Sequence, residues 1–376
     1  MKKMKTMALI LSVATLLSGC QGAGQSMGTG NGTSRAEDAS ALDEGQKDEG
    51  QKDGGQKDTG GYTINRNSEG KIVIRAGHQV ASDGVWQVGF EAFAKAINEI
   101  SGDKFEIQIF PSGQLGDQSE LIQQLQLGTV EMCVSSCADL GNYVPVCGLL
   151  DVPYLFESKQ QAWNVMDGDI GDMVDQEIRD KVGINVMGYW SGGTRNIFSS
   201  KGAVNKAEDV KGLKMRTQPN DVHVKAFESL GVVVSPIAYT ELYSALQQKV
   251  VDAAENDLSN YYQMKFYEVC KNYSKTEHII QVATGIALVS PEFYNALTDE
   301  EKGWFDEACK IAQEEQRKWV EDSESDFVAK LEAEGVVINE VDKQSFVDAI
   351  KPFYEDFVYP TYTKELVDQI KAVPAE

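Results

Sequence analysis

The chain has 376 residues, a formal net charge of −23 at pH 7 and 42% hydrophobic residues. So acidic a chain excludes the basic patches that nucleic-acid binding needs, although a small anion requires only a local positive site. Three histidines and no close Cys-x2-Cys pair supply no donor set for a zinc centre, and no metal or other cofactor is expected.

Residues 1–20 read MKKMKTMALILSVATLLSGC. Lys2, Lys3 and Lys5 form a positive start, and Ala8 to Leu17 an apolar run too short to span a membrane. The run ends in LSGC, which resembles a bacterial lipobox; Cys20 is then the lipidated first residue of the mature protein. Residues 21–70 are read as a disordered tether. They are rich in Gly, Ser, Asp and Lys and hold the repeat EGQKD, EGQKD, GGQKD, which has too little apolar surface to offset the entropy of ordering. Five cysteines remain beyond Cys20, an odd number that cannot all pair; buried thiols are expected.

From Lys71 strands alternate with helices, which predicts an α/β fold with two lobes. KIVIRAGH is a strand with His78 at its end, facing an expected cleft. Trp86, Phe90, Phe93, Ile97 and Ile100 recur at helical spacing and are read as core. FEIQIF is the second strand. Asp117 and Glu120 form a capping-box pattern, so Glu120 has a structural role available beside a candidate ligand contact. VEMCVSS and INVMGYW are further strands. The most apolar stretch, 279–289, has only eleven residues and is too short for a span.

The most informative region is Val210 to Asn256, read as strand, helix, strand, helix, strand. LKMRT carries Arg216, Gly231 supplies a left-handed cap to the helix from Asp221, and VVDAA leaves Glu255 and Asn256 at its end. Arg195 follows the break SGG after INVMGYW. Arginine is scarce, seven residues against 28 lysines, and its planar fork suits a bidentate carboxylate clamp. Arg195 and Arg216 are therefore the leading candidates, with an internal ion pair as the structural alternative for each. Gln218, Tyr239 and Asn256 offer hydrogen bonds to hydroxyls. TDEEKGWF and its continuation read as one helix of roughly 36 residues, about 54 Å long, capped by Thr298 with Glu301. VVINEV is a last strand, and the closing tyrosine-rich segment is expected to pack on the second lobe.

GLKMR, SLGVVVSPIAYTELYSALQQ and VVDAAEN, in this order and spacing, resemble the signature of TRAP-transporter solute-binding proteins, the DctP family. The resemblance implies a two-lobe periplasmic-binding-protein fold of type II, with crossing hinge strands and a long lobe-spanning helix. Residues 71–191 with 282–318 would form lobe 1, and 192–281 with 319–376 lobe 2. It implies an extracytoplasmic, lipid-anchored protein that captures an organic acid and delivers it to membrane permease subunits, without chemistry on the ligand. Arg216 falls on the position that clamps the ligand carboxylate, and Arg195 on a second ligand-bonding position. Asp-Leu-Ser after Asn256 is similar to members that bind hexuronates, which favours a sugar acid over a C4-dicarboxylate. A ligand-sensing surface lipoprotein and a secreted hydrolase or lyase remain as other readings. The latter lacks a G-x-S-x-G elbow and an H-E-x-x-H motif.

Overall fold

The computed structural model describes residues 61–281 and 285–375. The signal peptide, Cys20 and the pentapeptide repeat lie outside the described residues.

Among the described residues, eleven strands make two sheets. β1 (Ile72–Gly77), β2 (Phe105–Phe110), β3 (Met132–Ser135) and β4 (Asn185–Trp190) come first. β5 (Gly193–Ser199), β6 (Lys214–Thr217), β7 (Val233–Pro236), β8 (Ala253–Asn256) and β9 (Asn272–Gln281) follow, then β10 (Gly285–Val289) and β11 (Val337–Glu340). The first sheet has the order β2-β1-β3-β10-β4, and the second β11-β9-β5-β8-β6-β7. β1 runs parallel to β2 and β3, whereas β10 is antiparallel to β3 and β4. Parallel neighbours need a crossover between them. The helix Val85–Ser101 connects β1 to β2, Gln118–Gln126 connects β2 to β3, and Asp221–Ser229 connects β6 to β7. β3 and β10 are buried at every residue, as an inner strand covered on both faces requires.

The chain passes between the sheets through Ser191 and Gly192, from β4 to β5, and returns between β9 and β10. Of the apolar stretch 279–289, residues 279–281 end β9 and residues 285–289 form β10. No helix among the described residues is long and apolar enough to cross a membrane.

The helix Asp299–Ala333, 35 residues long, ties the two sheets together. The Thr298 hydroxyl accepts from the Glu301 N–H, and the Glu301 carboxylate accepts from the Thr298 N–H, the reciprocal cap that the sequence predicts. Phe305 packs edge-on to Phe93 of the first helix at 5.1 Å. Two turns before its end Phe327 meets Tyr262 at 5.7 Å, beside the second sheet. Between these points Gln316, fully buried, accepts from the Ser191 N–H at 2.8 Å and donates to the Ser191 carbonyl at 2.7 Å. A crossing peptide has no strand partner of its own, and this amide satisfies it.

Two expectations are refined. Residues 61–70, assigned above to the tether, are ordered: Ile64 is buried, Tyr62 donates to Glu131 at 3.0 Å, and Arg66 bridges to Ile72. YTIN supplies the apolar side chains that the repeat lacks. The closing segment packs on the helix Asp221–Ser229, with Lys225 5.7 Å over the Phe357 ring, and it also bonds to residues 153–161, which the sequence placed in the first lobe. Tyr354 donates to the Pro153 carbonyl at 2.8 Å, and Gln161 donates to the Val373 carbonyl at 2.9 Å. Val358, Tyr362, Val367 and Ile370 share a core with Leu149, Ala162 and Val165 there. The helix Lys343–Ala349 ends just before Pro352, which sits in the first turn of a new helical segment, Lys351–Phe353, and the chain goes on through a wider turn at Tyr354–Val358. Cys133, Cys137, Cys147, Cys270 and Cys309 are all buried, and burial raises each thiol above its ordinary range.

Candidate functional site

Arg216 is buried on β6, one strand in from the edge of the second sheet. β6 lies between β8 and β7, and Arg216 stands opposite Ser235. Its side chain is 1% exposed. Its Nε donates to the Ile237 carbonyl at 2.8 Å, and its guanidinium stands 5.9 Å from the Tyr239 ring centre. Among the described residues Nη1 is buried without a hydrogen-bond partner, and no carboxylate lies in ion-pair range of Arg216. Burial pulls its pKa from 12.5 to about 10; the more distant Glu255 carboxylate opposes this and the Arg195 cation adds to it. A buried cation without a counter-ion is costly, so the site is poised for an anion.

Arg195, on β5, is differently placed. Its Nε and Nη2 fork onto the Glu255 carboxylate, Nη2 at 2.5 Å, while Nη1 donates to Asn256 Oδ1 at 3.2 Å. Burial is the largest single influence and acts to lower its pKa, but the Glu255 charge and hydrogen bonds, with the Asp151 and Asp257 charges, together hold Arg195 above its ordinary value. Burial likewise acts to raise Glu255, yet Arg195 and the neighbouring imidazoles His278 and His223 hold it far below the usual carboxylate range. Arg195 therefore makes the internal ion pair that the sequence left open. It reaches the ligand space with its charge already balanced.

Both arginines line one narrow cavity, with about 40 Å³ free to a water-sized molecule. Gln218, Tyr239, Asn256, Asn260, Gln281 and Gly192 complete the wall on the second-sheet side; Val80, Trp86, Gln118 and Ser136 come from the first. The site thus sits where the chain passes between the sheets. Its chemistry is five side-chain amides, two hydroxyls, an indole and two guanidinia. Tyr239 donates to Asn260 Oδ1 at 3.3 Å, and Asn260 is held by Asp257 at 2.7 Å. Gln118 Oε1 accepts from the Ser136 N–H at 2.5 Å.

Of the residues expected from sequence, Arg195, Arg216, Gln218, Tyr239 and Asn256 meet in this cavity. His78 and Glu120 do not line it. His78 is buried against Phe90, 6.0 Å between ring centres, with Nε2 2.9 Å from Gln87 Oε1; burial lowers its pKa to about 4. Glu120 completes the capping box, its carboxylate accepting from the Asp117 N–H at 2.8 Å. Trp86, Gln118, Ser136, Asn260 and Gln281 were missed. Trp86 belongs to a helical apolar stripe and reads as core, yet its buried indole N–H has no partner among the described residues. Gln118 directly follows the cap residue Asp117, the one local signal that placed it near a strand-end loop.

Residues 76–360 match the family of bacterial extracellular solute-binding proteins, family 7, known as DctP. A solute-binding protein of Verminephrobacter eiseniae is 34% identical over 286 residues, 76% of this chain and 84% of that protein. A TRAP periplasmic solute-binding protein from a Bradyrhizobium species, solved with galacturonate, is 32% identical with a TM-score of 0.74. It covers 79% of this chain and 99% of its own. Another, from Sulfurospirillum deleyianum and solved with succinate, is 29% identical with a TM-score of 0.76, covering 80% of this chain and 99% of its own. The two-lobe α/β architecture, the cavity between its sheets and these matches along most of the chain agree: this protein belongs to the DctP family of bacterial extracellular solute-binding proteins.

Proposed function

We propose that this protein captures an organic acid outside the cell membrane and delivers it to a TRAP-type permease, holding the ligand carboxylate on Arg216. The observation that carries this reading is the Arg216 guanidinium, buried in the cavity wall with Nη1 unpartnered among the described residues. A carboxylate supplies the missing charge and hydrogen bonds together, and a neutral analogue leaves both unmet. Arg195, Gln218, Tyr239 and Asn256 take part as ligand contacts. Asn260, Gln281 and Gln118 add amides for hydroxyl groups.

The preferred class is a sugar acid, a hexuronate or a relative of one. One guanidinium is without a carboxylate while the other is neutralised by Glu255, so a dianion would leave a second carboxylate without a cation. The several amides instead suit a polyhydroxylated monoanion. The galacturonate-bound relative supports this reading, and the succinate-bound relative supports dicarboxylate capture as the alternative. Glu255 and Asp257, the carboxylates behind the wall, are committed to Arg195 and to Ser259 and Asn260, which fits binding without chemistry.

In this reading the lobes divide near residues 191, 281 and 318, and ligand draws them together around the cavity. Lipidation at Cys20, with the glycine-rich tether behind it, keeps the protein at the membrane beside its permease. The test is a thermal-shift screen against uronates, aldonates, dicarboxylates and neutral sugars. A ligand at 100 times its Kd stabilises the native state by about 2.7 kcal/mol. A shift with dicarboxylates alone would replace the sugar-acid assignment, and a shift with neutral sugars alone would remove the carboxylate clamp.

A further inference from the structure

Behind the cavity wall lies His223, on the helix Asp221–Ser229 and 1% exposed. Its Nε2 is 3.4 Å from the side-chain nitrogen of Gln218, which lines the cavity, and 3.3 Å from Asp151 Oδ2. Its Nδ1 is 3.9 Å from Glu255 Oε1. The wider charged surroundings are Arg195 and His278 around Glu255. Cys137 and Cys147 lie on the Asp151 side, their thiols raised first by burial and then by that carboxylate.

These contacts place opposite demands on one nitrogen. An amide NH2 only donates, so Nε2 facing it must be bare. A carboxylate only accepts, so Nε2 facing Asp151 must carry a proton. With Nε2 bare, Gln218 turns its NH2 to the imidazole and leaves its carbonyl for the cavity. With Nε2 protonated, the N–H goes to Asp151, and Gln218 reverses its amide to put the carbonyl oxygen beside the ring. Its NH2 then faces the cavity.

We propose that His223 is a positioning residue for ligand choice: its Nε2 proton decides whether Gln218 offers the cavity a carbonyl or an NH2. The proposal rests on the acid-capture reading only for the ligand. Carboxylate and hydroxyl oxygens accept from an NH2, so acid affinity is highest when Nε2 of His223 carries a proton and lower when it is bare. Binding an acid therefore favours the ring with its proton on Nε2.

The test uses the full chain in two measurements. In the first, calorimetry with D-galacturonate runs from about pH 5.5 to about pH 8.5. The expected Kd rises roughly three- to tenfold with pH, the worth of one net hydrogen bond. In His223→Gln, which keeps a donor and an acceptor without titrating, the rise disappears. A variant with the same slope as the wild type overturns the proposal. In the second, nitrogen NMR of the ligand-free wild type follows the rings of its three histidines, assigned by single substitutions, together with the Gln218 NH2. The NH2 resonances are expected to move with the His223 midpoint. A Gln218 that stays still through that titration, or a His223 ring that does not titrate, overturns the proposal. If the wild type binds no acid, the acid-capture reading fails and the NMR titration alone decides the role of His223.

Discussion

Replacing Arg216 by methionine, of similar length and apolar, should stabilise the ligand-free protein while ending acid binding. Burial lowers the Arg216 pKa from 12.5 to about 10, and at 1.36 kcal/mol per pH unit the charged form is disfavoured by roughly 3 kcal/mol. Against this, the substitution loses the Ile237 hydrogen bond, about 1 kcal/mol, and some packing, below about 1.5 kcal/mol. The balance is a gain of roughly 1 kcal/mol, opposite in sign to the usual core substitution. Scanning calorimetry without ligand should show Tm rising by about 2 to 4 °C. Titration with D-galacturonate should show affinity lower by roughly 30- to 5,000-fold, the cost of removing one partner of a buried charge pair. A ligand-free Tm several degrees below the parent would refute the claim that Arg216 stands without a counter-ion. A retained affinity would refute its role in capture.

Glu255→Gln is expected to act in the opposite sense. It leaves Arg195 buried without its carboxylate, and urea unfolding should show a loss of about 3 to 5 kcal/mol; an unchanged midpoint would mean that the pair is not structural. Gln316→Leu strips both hydrogen bonds from Ser191 at the crossing peptide. The cost is about 2 to 4 kcal/mol in stability, with faster amide exchange at Ser191 and Gly192. His78 should weaken the fold in acid. Burial lowers its pKa to about 4, so the unfolded chain takes up the proton first. Stability is full above about pH 6.5 and falls by up to about 1.4 kcal/mol per unit towards pH 4. His78→Asn should flatten that part of the pH profile, and an unaltered profile would assign the acid sensitivity to other groups.

What the sequence reveals follows from how local each signal is. The cap of the long helix, the strand carrying Arg216 and the helix beginning at Asp221 are legible because their determinants lie within a few residues of one another. The division of labour between the two arginines is not. Arg195 is neutralised by a carboxylate sixty residues away in sequence, and a chain rich in acidic residues gives no hint which one is used. Trp86 and Gln281 were hidden by their own elements, an apolar helix stripe and a buried strand, whose periodicity says inward but not whether inward means core or cavity. His223 was hidden in the same way on the inner face of its helix. His78 was misled by position: a strand end faces the cleft in general, but Phe90 and Gln87 close over this one. The ordered start at residue 61 was masked by ten residues of mixed composition, in which Tyr62 and Ile64 alone carry the packing.

The most direct test of the central claim is a calorimetric comparison of D-galacturonate with D-galactose on the parent protein and on Arg216→Lys. The account predicts that the parent binds the acid and not the neutral sugar, and that lysine, a point charge without the planar fork, lowers acid affinity by at least about tenfold. Equal binding of acid and neutral sugar, or full affinity with lysine at position 216, would contradict it.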